Sequence, residues 1–254
     1  MVNSVIISQA RLGSSRLPNK VLMEINNESL LEIHINRLKK CLVTKNIILA
    51  TTYEKNIDKL IEIGEKARVN IFQGETHDVL NRYYNASKSI NPDYIIRVTS
   101  DCPLIDPKLI DSILKMAIDQ KLDYTSNILI ESFPDGQDVE VISFKALEKC
   151  YHEAKLKSDR EHVTPYIKRN SSFNGQGMFF SKNYKSEVDY SNIRMTVDEL
   201  EDYNAIKLLI GTLGVNQNWQ LYAEFIKNHP ELFYNQKIKR NEGYTNSLKK
   251  DKSN

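Results

Sequence analysis

Ten residues near the start of the chain, R-L-G-S-S-R-L-P-N-K (11–20), combine three fixed positive charges with two hydroxyls, a glycine and a proline. They follow directly on an apolar run that begins at Val5. Gly13 allows a tight turn, Ser14 and Ser15 offer hydroxyls and amides, and Pro18 restricts the loop. Arg11, Arg16 and Lys20 then make a receptor for a polyanion, most naturally a nucleoside triphosphate. No GxxxxGK[ST] pattern is present, so this is not a Walker A loop. A solvated basic loop with no ligand is the plain alternative.

Two further stretches carry carboxylates of the right kind. In R-V-T-S-D-C-P-L-I-D-P (97–107), Asp101 stands just past another apolar run. A carboxylate there can hold a divalent cation, and magnesium takes one or two protein carboxylates together with phosphate oxygens. Asp106 reads instead as the N-cap of a helix starting near Pro107. In R-M-T-V-D-E-L-E-D-Y (194–203), Asp198 ends a short alternating strand, so it could share that metal with Asp101 or simply cap the Glu199 helix. Asp138 and Glu140 alternate with Val139 and Val141 on a half-buried strand. His162 beside Glu161 is a possible general base or a structural histidine. Cys102 reads as a small buried residue and Tyr83-Tyr84 as helix-to-sheet packing.

These residues need a scaffold that brings strand ends together. Apolar runs at Val5–Ser8, Asn46–Thr51, Val69–Phe72 and Tyr94–Val98 read as strands. Between and after them lie helical patterns: one through Leu30, Leu31, Ile33, Ile35 and Leu38 with Ser29 as N-cap, one marked by Ile57, Leu60, Ile61 and Ile63, one from His77 to Ser87, and one over Leu109–Ile118. That alternation predicts a parallel sheet with helices on both faces, where ligands bind beyond the carboxyl ends of the strands. After residue 122 the rhythm changes: Val139–Phe144 reads as a strand, Lys145–Lys155 as a helix, Asn170–Phe180 as a loop and Glu199–Leu213 as a helix. No linker separates domains, so residues 1–235 read as one domain and 236–254 as a basic, flexible tail.

The bulk composition narrows the classes. The chain has 254 residues, enough to bury a sizeable core, and 35 basic against 33 acidic side chains. Anion binding must therefore be local, with no global field for nucleic acid or membrane. The three cysteines are widely spaced, which argues against disulfides and zinc. The opening MVNSVIISQAR lacks the pattern of a signal peptide and no run is long enough to span a bilayer, so a cytoplasmic location is expected.

Six stretches taken together, QARLGSSRLPNKVL, IFQGETHDVLNRYYNA, RVTSDCPLIDP, FPDGQDVEV, REHVTPYI and RMTVDELEDY, occur in this order in one family. The chain resembles cytidylyltransferases of the kind typified by the spore coat polysaccharide biosynthesis protein F, a group similar to CMP-sialic acid and CMP-Kdo synthetases. The resemblance covers about residues 4–210. It implies a nucleotide-diphospho-sugar transferase fold: a three-layer α/β/α, Rossmann-like, mostly parallel mixed sheet with a small dimerisation subdomain. It also implies an Mg2+-dependent enzyme and a homodimer.

By that resemblance Arg11, Ser14, Arg16 and Lys20 would hold the phosphates of CTP, with Gly13 in the turn. Asp101 and Asp198 would hold magnesium, and Gln9, Ala10, Thr51, Gly74, Asp78 and Ser100 would surround the nucleoside. Asp138, Glu140, Arg160, His162 and Arg194, with Lys168 and Arg169, are candidates for the acceptor. The implied reaction is attack of an anionic acceptor on the α-phosphorus of CTP with loss of pyrophosphate, Arg16, Lys20 and Asp101 being catalytic. The acceptor would be a 2-keto sugar acid, another acidic sugar, or a phosphonate or phosphate. Three departures stand out: Asn19 where relatives commonly carry glycine, Ser100 where many do, and Lys20-Val21 in place of the Lys-Asn pair typical of sialic acid enzymes. A glycosyltransferase on the same fold and a non-catalytic nucleotide-binding module remain alternatives. The first would want a second carboxylate near Asp101, where Asp101-Cys102-Pro103 has none.

Overall fold

The computed structural model describes residues 2–14 and 16–240. Four strands, β1 (Ser4–Gln9), β4 (Ile47–Thr52), β5 (Asn70–Gly74) and β6 (Tyr94–Thr99), lie in the order β5-β4-β1-β6 and run parallel. Between them come a small hairpin of β2 (Glu24–Ile25) and β3 (Glu28–Ser29) and the helices α1 (Leu30–Leu38), α2 (Asp58–Lys66) and α3 (Val79–Lys88). The helices form where the spacing predicts them. Ser29 closes a full capping box with Glu32, and Asp78 accepts from the Asn81 amide at the head of α3.

Burial explains why these strands read as continuous apolar runs. Ile6 faces a core shared with α1, α4 (Pro107–Asp119), α8 (Leu200–Leu213) and α9 (Trp219–Asn228). Its neighbours Val5 and Ile7 face the opposite core, packed by α3 and α5 (Phe144–Glu153). Side chains alternate across a strand, so a strand covered on both faces must be apolar at every position.

Beyond β6 the sheet becomes mixed. β8 (Glu140–Ser143) is antiparallel to β6, β7 (Tyr124–Ser126) is antiparallel to β8, and β9 (Ser181–Asn183) forms the edge beside β7. Strands β7 and β9 and the helices α6 (Lys157–His162) and α7 (Pro165–Arg169) are too short for a period to register; α9 went unread although Asn218 caps it and Trp219, Tyr222, Ala223 and Ile226 recur at helical spacing. Residues 194–197, expected as a strand, join no sheet. Arg194 makes one bridge, to Asp135, and the Val197 amide donates to the Asp101 carbonyl at 2.8 Å. The alternation there is real, since Met195 and Val197 are wholly buried, but its hydrogen bonds go to loops.

The chain leaves β1 for β4 and β5 on one side and returns to β6 on the other. The β1–β6 seam, where Gln9 pairs with Thr99, is therefore the point at which the strand order reverses, the usual place for a ligand crevice. Both the 11–20 loop and the Asp101 turn begin there.

Candidate active site

The loop after β1 delivers its cations into the seam. Asn19 takes a left-handed backbone (φ 56°, ψ 20°), which turns Lys20 inward. The buried Lys20 ammonium donates to Asp101 at 2.8 Å, to Asp198 at 2.8 Å and to the Val197 carbonyl at 2.7 Å. Burial alone would lower the Lys20 pKa, but the two carboxylates outweigh it and hold the group above its ordinary value. Burial would likewise raise the Asp101 pKa, and Lys20 instead holds it well below the usual carboxylate range. Arg16 reaches the other oxygen of Asp198 at 2.9 Å and Glu199 at 3.5 Å.

Two separate segments fix the aspartates. The Asp101 turn is braced from beneath by His34, wholly buried between the Ser8 hydroxyl (2.9 Å) and the Cys102 carbonyl (2.8 Å). Burial pushes the His34 pKa down to about 4, so the ring is neutral, donating to the carbonyl and accepting from the hydroxyl. Asp198 lies on the arm 194–198, anchored by Arg194. That buried guanidinium pairs with Asp135 (2.7 Å), Asp202 (2.8 Å) and Asp198 (3.3 Å). Asp198 does not cap α8; Glu199 does, with Asp202.

The junction opens onto a cavity of about 440 Å³. His162, Thr164, Lys168, Glu131, Asp135 and Asp138 are among its lining residues. At its back Glu140, 1 % exposed, receives Arg97 in a close ion pair, Lys168 at 3.1 Å, the Thr164 hydroxyl at 2.7 Å and the Tyr124 hydroxyl at 2.5 Å. Burial would raise the Glu140 pKa, but Lys168 and Arg97 bring it down to about 2. Two cations share one carboxylate there.

Of the expected residues, Arg16, Lys20, Asp101, Asp198, Arg194, Glu140, His162 and Lys168 come together around this cavity. Asp138 also faces it, bound to Arg240 at 2.5 Å. The nucleoside candidates cluster at the neighbouring strand ends instead. Gln9 ends β1, Thr51 lies in β4, and Gly74 ends β5. The Gln9 Oε1 and Thr51 Oγ1 atoms are buried without a partner, as is Nε of nearby Arg82 on α3. Unpaired buried polar atoms are costly, and they suit a site built to receive a ligand's own donors and acceptors. Ala10 and Ser100 are buried beside them, the Ser100 amide bonding the Gln9 carbonyl. Gly13 meets Glu54, Ser14 is half-buried, and Arg11 is exposed.

Asp78 and Arg160 are spent on each other: the guanidinium grips both carboxylate oxygens at 2.5–3.0 Å and ties α6 to α3, so Arg160 stands outside the cavity lining. Arg169 pairs with buried Asp159 at 2.7 Å. Sequence reasoning missed Arg97, Glu131, Asp135, Lys239 and Arg240. Arg97 did leave a signal, as the lone charge in the run Y-I-I-R-V.

Among the described residues no group of three or more acidic, histidine or cysteine side chains converges as a metal cage. Asp101 and Asp198 nevertheless both reach one cation, the Lys20 ammonium, at 2.8 Å. Two carboxylates that meet on a single positive charge fit magnesium, which fills its remaining positions with water and phosphate oxygens.

The cytidylyltransferase family model matches residues 5–238. An uncharacterized protein of Methanocaldococcus jannaschii is 41% identical over 232 residues, covering 89% of this chain and 91% of that protein. The spore coat polysaccharide biosynthesis protein SpsF of Bacillus subtilis is 31% identical over 221 residues, covering 84% and 89%. The solved structure of a cytidylyltransferase from Leptospira borgpetersenii superposes with a TM-score of 0.87 at 33% identity, covering 94% of this chain and all of that one. With its cationic loop and paired aspartates at the β1–β6 seam, the chain belongs to the cytidylyltransferase family and is a nucleotidyltransferase.

Proposed function

We propose that this protein transfers CMP from CTP to a small anionic acceptor, a 2-keto sugar acid by preference, with Mg2+ and release of pyrophosphate. The observation that carries the reading is the junction of Lys20 and Arg16 with Asp101 and Asp198 at the mouth of a polar cavity. Nucleotide and acceptor then have separate places: the nucleotide at the ends of β1, β4 and β5, the acceptor in the cavity.

In the reaction an acceptor hydroxyl attacks the α-phosphorus, forming a P–O bond as the bond to the pyrophosphate oxygen breaks. Arg16 and Lys20 give up carboxylate contacts to hold the departing phosphates, each supplying on the order of 2–4 kcal/mol of barrier lowering, as a single oxyanion donor does. Asp101 and Asp198 would hold magnesium, which supplies charge neutralisation and acidifies a bound hydroxyl. Arg97 and Lys168, which share Glu140, are the cations placed to meet the acceptor's carboxylate or phosphonate, while Glu131, Asp135 and Asp138 can accept its hydroxyls. His162 lines the cavity with its pKa lowered, mainly by burial, and is a neutral imidazole able to take the hydroxyl proton.

This reading carries a cytoplasmic enzyme that supplies activated sugars for surface glycoconjugates. It also carries a homodimer, for which exposed Phe173, Met178 and Phe180 near edge strand β9 are supporting features; sedimentation would show it as twice the chain mass.

The deciding experiment is magnesium-dependent pyrophosphate release from CTP, UTP, ATP and GTP against 3-deoxy-manno-octulosonate, N-acetylneuraminate and simple phosphonates. CTP should be used in preference, and Asp101→Asn should lose turnover by at least a hundredfold while keeping its fold. Release from another nucleotide but never from CTP would sink the reading.

A further inference from the structure

One acidic side chain against the loop after β1 has no part in the reaction just described. Glu54, two residues past the end of β4, reaches across to the loop after β1. Its Oε2 accepts from the Leu12 amide at 3.1 Å and from the Gly13 amide at 3.0 Å. Its Oε1 accepts from the buried Thr52 hydroxyl at 2.7 Å. A side chain added at Gly13 would stand 3.6 Å from both carboxylate oxygens, so the carboxylate lies directly over the bare face of the loop.

Two successive amides aimed at one oxygen form a concavity that selects a negatively charged oxygen, whether of a carboxylate or a phosphate. The surroundings favour the same charge. Arg82 is 1 % exposed, its Nε has no partner, and it interacts electrostatically with Arg11, Glu54 and Asp78. Glu54 itself is half-exposed on a separate loop, so it can leave without dismantling the strand end.

We propose that Glu54 is a built-in phosphate surrogate, holding the Leu12–Gly13 amides in the ligand-free protein and yielding them to a phosphate group of the incoming nucleotide. This rests on the nucleotide-binding reading of the 11–20 loop and adds to it a control on affinity. The resident carboxylate keeps the loop formed and its positive neighbours balanced. Nucleotide binding must displace it, which weakens that binding by the strength of the displaced contact.

The test is calorimetric titration of the full chain with tripolyphosphate, which has no base, and separately with CTP. Glu54→Gln keeps an oxygen for the amides but removes the charge, so it should bind both ligands roughly tenfold tighter. Thr52→Val frees one carboxylate oxygen without touching the loop and should shift both in the same direction by less. Circular dichroism and thermal melting would certify that the variants fold. Unchanged or weaker tripolyphosphate binding by Glu54→Gln would overturn the proposal and leave Glu54 a loop brace. Tighter tripolyphosphate binding with no CTP binding by any form would support the surrogate while defeating the cytidylyl reading.

Discussion

Asn19 holds a left-handed backbone, and among residues with a Cβ asparagine is one of the few that enter that region readily. The turn it makes buries Lys20 against two carboxylates. Lys20→Met would leave those carboxylates facing each other, relieved in part by Arg16 and Arg194. It is expected to cost about 2 kcal/mol in denaturant unfolding and to lower kcat/KM for CTP by two orders of magnitude or more. Glu140 has a different signature. Its folded pKa lies below its unfolded value because Arg97 and Lys168 favour the carboxylate, with the Tyr124 and Thr164 hydroxyls donating to it. Its contribution is thus complete above about pH 4.5 and lost as pH falls toward 2, about 3 kcal/mol in all. Urea titrations at pH 7, 4 and 3 should show this loss in the wild type, and Glu140→Gln should flatten the profile while being less stable at pH 7. The loop's cations and the two aspartates were legible in the sequence because charge next to an apolar run is conspicuous. Glu54 and Arg240 were not, since nothing local marks a surface-type residue that finds its partner dozens of positions away.

At the scale of elements, the arm 194–198 depends on a glycine. Gly136 has φ 105°, and a Cβ there would lie 2.6 Å from the Met195 carbonyl carbon. Gly136→Ala therefore combines a forbidden backbone with a collision against the strand-like segment that carries Asp198. A loss of about 3 kcal/mol in stability is expected, together with a fall in kcat from the displaced carboxylate. Ser29→Ala makes a useful contrast: it breaks the capping box at the head of α1, outside the cavity lining, and should cost about 1 kcal/mol with steady-state kinetics little changed. The long parallel strands and amphipathic helices could be read from periodicity alone. In the mixed half only β8 showed, through its alternation at 139–144; β7 and β9 did not, because they have three residues each and their pairing is dictated by neighbours rather than by their own pattern.

Across the whole molecule, the cavity is assembled from five remote stretches: the loop after β1, the turn after β6, residues 131–140, α6 with α7, and the arm 194–198. A sixth closes it. The Arg194 amide donates to Gln236 at 2.7 Å, Asn235 donates to Asp202 at 3.0 Å, and Arg240 binds Asp138. The composition read 236–254 as a basic tail. Gln236 and Arg240 are docked, while residues 241–254 lie outside the described part of the chain. A chain truncated after Tyr234 should melt several degrees lower and turn over poorly, since each lost hydrogen bond to the Arg194 cluster is worth about 1 kcal/mol.

That clasp also sets a schedule. Synthesis runs from residue 1, and the parallel half of the sheet can pair as soon as β6 has emerged. The Asp198 arm cannot be locked until residues 235–240 have followed some forty positions behind it. A chain still being made would therefore lack a finished cavity wall, with Lys20 and Arg16 short of their Asp198 partner in its final place, until its residues 235–240 had appeared.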